Sequence, residues 1–239
     1  MSHFPPEVTG DSRIILPIGE KLSYSVSWAN FLTAGQLTTE IKQRGRFFNR
    51  EGLHLTLTAE SVGLVKVFFL VEDRFASYVD PATLLPYRTE LFIREGKRKT
   101  ERVTFLDGKR RLARLSPGRT VPIHPETRDL VALLYYLRTL DLTEGKSYRL
   151  PVLHGKDRFF VHVRAAQTTE VTVPAGRFEA TEVILMIEDT PGQVSDAYRL
   201  RMWLSRDDRR LPVRISGRLE YGDVRAELTD ISTVAGESR

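Results

Sequence analysis

The chain contains no cysteine. That absence excludes disulfides, thiol nucleophiles, iron–sulfur clusters and most structural zinc sites. It leaves the compartment open, because a thiol-free chain suits an oxidising periplasm and a reducing cytosol equally. No run of about 18 apolar residues exists, so no bilayer-spanning helix is expected. Met1 to Pro6 lacks the charged region and apolar region of an export signal. Two alternatives follow: a cytosolic chain, or one whose signal has been removed. Charge of one sign is in little excess, with 36 Lys and Arg facing 31 Asp and Glu and a net charge of +5. The two signs are interspersed, whereas a nucleic-acid binder concentrates basic residues on one face or arm, so no nucleic-acid partner is expected. The densest basic run is Arg94 to Arg102, with Lys109 to Arg114 just after. It reads as the tips and solvent face of a hairpin, with a polyanion-binding patch as the alternative.

What is present is ordinary soluble globular composition, 41% hydrophobic and 28% charged. A chain of this length buries roughly 70% of its unfolded surface and needs no metal staple. Its dominant hydrophobic period is two. Leu22, Tyr24, Val26 and Trp28 alternate with polar residues, as do Leu37, Thr39 and Ile41, and Leu53, Leu55, Leu57 and Ala59. Such alternation marks half-buried strands. It recurs in Val71 to Val79, Tyr87 to Ile93, Val103 to Phe105, Arg158 to Arg164 and Arg177 to Ile187. Ala197 to Leu204, Leu211 to Ile215 and Val224 to Ile231 continue it. Turn signals separate these runs: Arg94 to Lys97, Asp107-Gly108, His154 to Asp157 and Pro174 to Gly176. Connections this short join antiparallel neighbours.

One segment breaks the rhythm. Leu130, Leu133, Leu134, Leu137 and Leu140 follow helical spacing, with Thr127 or Asp129 as cap and Gly145 beyond the end. Val131, Ala132, Tyr135 and Tyr136 make the remaining face apolar too, as in a buried helix. Leu64 to Leu70 reads as a short helix or an irregular strand, and Ser116 to Pro125 as a loop entering the long helix. The expected fold is therefore mainly β: a curved antiparallel sheet or open barrel-like architecture of ten or more strands with one buried helix near 129–140. Residues 1–18 read as an extension, 19–232 as a single β domain and 233–239 as a tail.

Several local signatures are shared with a known family. They are Gly19 to Trp28, Val71 to Pro81 running on to Leu84-Leu85-Pro86, Asp129 to Arg138, Val173 to Phe178 and Trp203 to Val213. In this order they resemble the bacterial family known as domain of unknown function 3108, over about residues 19 to 231. The resemblance implies an exported protein of the Gram-negative envelope, periplasmic or otherwise. It implies no catalytic residue and no cofactor.

Chemistry is thinly marked. There is no Gly-x-Ser-x-Gly elbow, and no arrangement singles out one hydroxyl among Ser23, Ser25, Ser27 and Ser77. His3, His54, His124, His154 and His162 show no metal-ligand spacing, and the glycines form no phosphate-cradling loop. No catalytic residue, metal ligand or cofactor is assigned. Polar residues do align on strand faces. Glu72, Arg74 and Tyr78 share one face of their strand, and Arg88, Glu90, Phe92 and Arg94 share one face of the next. Arg199, Arg201 and Trp203 alternate with Tyr198, Leu200, Met202 and Leu204, and Arg218, Glu220 and Asp223 follow. The plain reading is a solvated outer face with cross-strand ion pairs. The functional reading is a concave groove lined by Arg and aromatics that holds an amphipathic ligand, lipid or glycan. Its candidate residues are Trp28, Arg74, Tyr78, Arg88, Glu90, Arg201 and Trp203. Beside this noncatalytic binding module stand a scaffold contacting another envelope protein and a hydrolase assembled from distant strands.

Overall fold

In a computed structural model, the protein is described at residues 16–28, 32–68, 70–190, 192–219 and 222–233. The readings at Met1 to Pro6, His3 and Glu220 lie outside these residues, as do most of the extension and nearly all of the tail. Fourteen strands form one antiparallel sheet. They are β1 (Glu20–Trp28), β2 (Leu32–Phe47), β3 (Arg50–Ser61), β4 (Glu72–Val79), β5 (Pro86–Glu95), β6 (Arg98–Asp107), β7 (Leu112–Leu115), β8 (Arg119–Pro122), β9 (Ser147–His154), β10 (Asp157–Val173), β11 (Gly176–Thr190), β12 (Gln193–Ser205), β13 (Pro212–Leu219) and β14 (Gly222–Thr233). Helix α1 (Gly63–Phe68) resolves the ambiguity at Leu64 to Leu70, and α2 (Leu130–Leu137) is the expected helix.

Every neighbour in the sheet is a sequence neighbour with one exception: β1 pairs with β14. The two meanders β1–β8 and β9–β14 are thereby zipped through the chain's first and last strands, and β8 and β9 are left as edges. The sheet is not closed, but its edges approach. Arg128 bridges to Val152 of β9, with Arg128 N–H donating to the Pro151 carbonyl at 3.0 Å. Arg158 of β10 donates to the Pro122 carbonyl of β8 at 3.1 Å. Leu153 of β9 shares a buried cluster with Leu106, Ala113, Leu115, Val121 and Ile123.

Alternation sets the two faces of the sheet. Leu53, Leu55 and Val79 pack on Val131, Ala132 and Tyr135 of α2. Val161, Val163, Val183, Met202 and Leu204 pack on Leu133, Leu134 and Leu137. Helix α2 thus lies inside the curl, touching strands from both meanders. Asp129 caps it, accepting from Val131 N–H at 2.7 Å and Ala132 N–H at 3.0 Å. At the other end Arg138 is 1% exposed and clamps Glu20 of β1 through two hydrogen bonds of 2.6 and 3.0 Å. The same guanidinium donates to the Arg209 carbonyl between β12 and β13 at 2.8 Å. One charged side chain therefore ties the helix to both halves of the chain.

Three strands were not foreseen. β7 and β8 have four residues each and fill what reads as hairpin tip and loop. β9 runs Leu150, Pro151, Val152, Leu153, all buried, so no alternation marks it, and its proline is tolerated because β9 is an edge. The Asp107-Gly108 pair also differs from expectation. Residues 108–111 form the turn and Arg111, not Gly108, has positive φ, at 57°. Gly108 is needed for another reason: a Cβ there would collide with the Pro125 carbonyl.

Candidate functional site

The inner face is covered unevenly. Eight residues of helix span ~12 Å, while β2, β3 and β10 with 12 to 17 residues run roughly 40–55 Å. The helix sits toward the end marked by Leu22, Ile41, Leu53 and Val79. Toward the other end the inner row continues across neighbouring strands through Leu57, Leu37, Val26, Trp28, Val224, Ile215 and Leu200. The register Leu37↔Tyr24, Val26↔Ala226, Trp28↔Val224, Ala226↔Ile215 and Gly217↔Leu200 places them on one face. All are half-buried, with Leu57, Leu200 and Ile215 at the margin of the helix cluster and Val26 and Leu37 at the margin of the neighbouring one, except Trp28, which is 41% exposed at the rim. Two glycines fit this end closely: a Cβ on Gly217 would strike the Leu200 side chain, and one on Gly222 would lie 2.5 Å from the Trp28 indole nitrogen.

The other sequence candidates lie on the opposite face. Tyr78 of β4 stands beside Arg88 of β5, which stands beside Phe105 of β6. The Arg88 guanidinium lies 4.0 Å from the Phe48 ring and 5.0 Å from Phe105, and its Nε donates to Glu90 at 2.8 Å. Tyr78 stacks on His54 at 4.6 Å and meets Phe48 edge-on at 5.0 Å. Arg74 lies over Phe92, which Lys99 also faces. Arg74, Tyr78, Arg88 and Glu90 therefore form one outer array. Arg201 and Trp203 are outer residues of β12, separated from that array by β3, β2, β1, β14 and β13. Arg201 pairs with the buried Glu182 at 2.5 Å. Trp203 is half-buried under the folded-over tip of the β10–β11 hairpin, in a cluster with Val171, Val173, Ala180 and Val213. The structure thus distributes the seven candidates over three places. The feature that sequence reasoning missed is Phe48, because a phenylalanine in a turn carries no signal.

Two polar clusters were also missed. Ser77 donates to Asp129 at 2.5 Å beside a cavity of about 30 Å³ that Phe75, Thr89, Arg102, Thr104 and His154 help to line. Burial raises the Asp129 carboxyl and lowers His154. That space suits about one water and no substrate. On the outer face of β9–β11, Arg149 forks onto Glu188 at 2.7 and 2.8 Å, and His162 Nε2 lies 2.5 Å from the same carboxylate. Hydrogen bonds from Arg149, then Gly192 N–H, then His162 hold Glu188 below the usual carboxylate range. Among the described residues, no three His, Asp or Glu gather as a metal site. No helix is long and apolar enough to cross a membrane.

The β-barrel-like protein of domain of unknown function DUF1849 from Brucella abortus superimposes with a TM-score of 0.64 at 10% identity, covering 91% of this chain and 98% of that one. That likeness shows the fold: an open, barrel-like antiparallel sheet. A DUF1089 family protein from Pseudomonas aeruginosa matches at TM-score 0.45 and 9% identity, over 78% of this chain and 93% of its own. A presumed exported protein from Bacteroides fragilis matches at TM-score 0.38 and 14% identity, over 91% and 97%. No curated protein matches the chain in sequence. The family model described as protein of unknown function (DUF3108) matches residues 23–229, nearly the whole sheet, and the chain belongs to that family.

Proposed function

We propose that the protein is a noncatalytic binding domain of the cell envelope. It holds the apolar part of an amphipathic ligand against the uncovered end of the inner sheet face. The observation that carries this reading is the length mismatch between α2 and the strands around it, beyond which Val26, Leu37, Leu57, Leu200, Ile215 and Val224 are only half-buried at the margins of the core, with Trp28 at the rim. Apolar side chains on a concave surface are the usual lining of a small-molecule site, and barrel mouths are a common place for one. Trp28 supplies a flat apolar area with one polar N–H, the chemistry of a rim that meets both chain and headgroup. The envelope placement rests on what membership of the family implies. The outer array of Arg74, Tyr78, Arg88 and Glu90 belongs to a different surface and is not part of this site.

The test uses palmitate as the probe. Trp203→Phe leaves Trp28 as the single tryptophan. Titration with palmitate should shift its emission to the blue and saturate. Val224→Glu, which sets a carboxylate opposite Trp28, should weaken the titration roughly tenfold or more. A flat titration, or one unaffected by Val224→Glu, would remove the reading.

A further inference from the structure

The end of the outer face where the β2–β3 and β6–β7 turns lie carries a feature that ligand binding on the inner face does not use. Phe48, Phe105 and Leu112 are 52%, 42% and 42% exposed, three of the largest apolar exposures among the described residues. They adjoin. Arg88 touches the rings of both Phe48 and Phe105, and Phe105 is the register partner of Arg114, two residues from Leu112 on the same face. Single exposed apolar residues are unremarkable, but a contiguous patch marks an interaction surface.

Phe48 is held there at a cost. Phe48 and Asn49 have φ of 52° and 64°, the two left-handed central residues of a tight hairpin turn where glycine and asparagine are favoured. A bulky aromatic in that conformation is an outlier, and such strain persists where the surroundings over-determine it.

The charge around the patch is mainly basic, and its acidic members, Asp107 and Glu90, are paired with Arg110 and Arg88. From Gly108 to Arg119 there are five basic residues, Lys109, Arg110, Arg111, Arg114 and Arg119, and no acidic one. Arg50, the register partner of Phe47, flanks the β2–β3 turn beside Phe48. Exposed aromatic and leucine side chains ringed by arginine and lysine fit a bilayer surface with anionic headgroups. The rings enter the headgroup region and the cations meet the phosphates.

We propose that this face docks the protein on an anionic membrane surface, with Phe48, Phe105 and Leu112 as the inserting side chains and Lys109, Arg110 and Arg114 as the headgroup contacts. The experiment is co-sedimentation with vesicles of phosphatidylglycerol and phosphatidylethanolamine, against vesicles of phosphatidylcholine alone. The wild-type protein should bind the anionic vesicles, bind the neutral ones far less, and be released by salt. Phe48→Gly is the informative variant. Glycine suits the turn, so it should melt at or above the wild-type temperature while binding roughly tenfold more weakly. Lys109→Glu with Arg110→Glu should weaken binding by a similar factor. No binding at low ionic strength, equal binding to both vesicle types, or undiminished binding by both variants would each overturn the proposal. So would retention on polyglutamate as strong as on vesicles with Phe48→Gly unaffected, since that marks a charge-only surface for acidic polypeptides. The palmitate titration of Trp28 reads a different face, so either reading can fail without the other.

Discussion

Glu20 and Arg138 are 2% and 1% exposed, and each satisfies the other's charge. Such a pair contributes little net stability against an apolar substitute, but removing one partner strands a buried ion. Glu20→Ala should therefore destabilise by about 3–5 kcal/mol in urea unfolding, and Glu20→Met with Arg138→Met far less than the sum of the single changes. Around this pair Tyr24, Thr39 and Tyr135 bury their hydroxyls without a well-formed hydrogen bond, and burial pushes both phenols up. Glu188 gives the residue-scale pH dependence. Hydrogen bonding depresses its folded-state pKa, so its contribution is complete above the ordinary Glu range and is lost as pH falls through and below it. Glu188→Gln should flatten the acid limb of a plot of melting temperature against pH. A limb unchanged in that variant would show that other carboxylates govern it.

At the scale of elements, α2 depends on its cap. Asp129 satisfies two backbone N–H groups and receives the Ser77 hydroxyl. Asp129→Ala should cost roughly 1–2 kcal/mol. Asp129→Asn keeps the accepting oxygen and removes a charge that burial disfavours, so chemical denaturation should find it closer to wild type. Equal losses for both would mean that the negative charge itself is needed. The helix was legible beforehand because five leucines at helical spacing, an acidic cap and a following glycine agree with one another. The long strands were legible because one of their faces is wet. β7, β8 and β9 were not: four residues are too few to show a period, and a strand buried on both sides has none.

At the scale of the molecule, the pairing of β1 with β14, with Glu20 opposite Thr233, unites strands about two hundred residues apart. Closing so long a loop is entropically expensive, so folding should run in the slow millisecond-to-second range. The same pairing puts the ends of the sheet-forming chain side by side. A circular permutant that joins the termini and opens the Asp141–Lys146 loop, which is exposed at Asp141 and at Thr143 to Lys146, should fold to the same circular dichroism spectrum. Loss of folding in that permutant would mean that β1 and β14 must meet last.

The alternation of residue types by itself determined that the chain is an antiparallel sheet around one greasy helix, and which side of each strand is wet. It placed Arg74 and Tyr78 on one face and Arg88 and Glu90 on one face, as they are found. Only the tertiary structure decided that those two faces adjoin, that Arg201 and Trp203 stand five strands away from them, and that Trp28 looks inward while they look outward. The physical reason is that a period of two records the local orientation of a side chain relative to its own backbone. Neighbourhood across the sheet depends on register and on which edges meet, and those are set by long-range closure: Arg138 gripping Glu20, and the last strand zipping to the first.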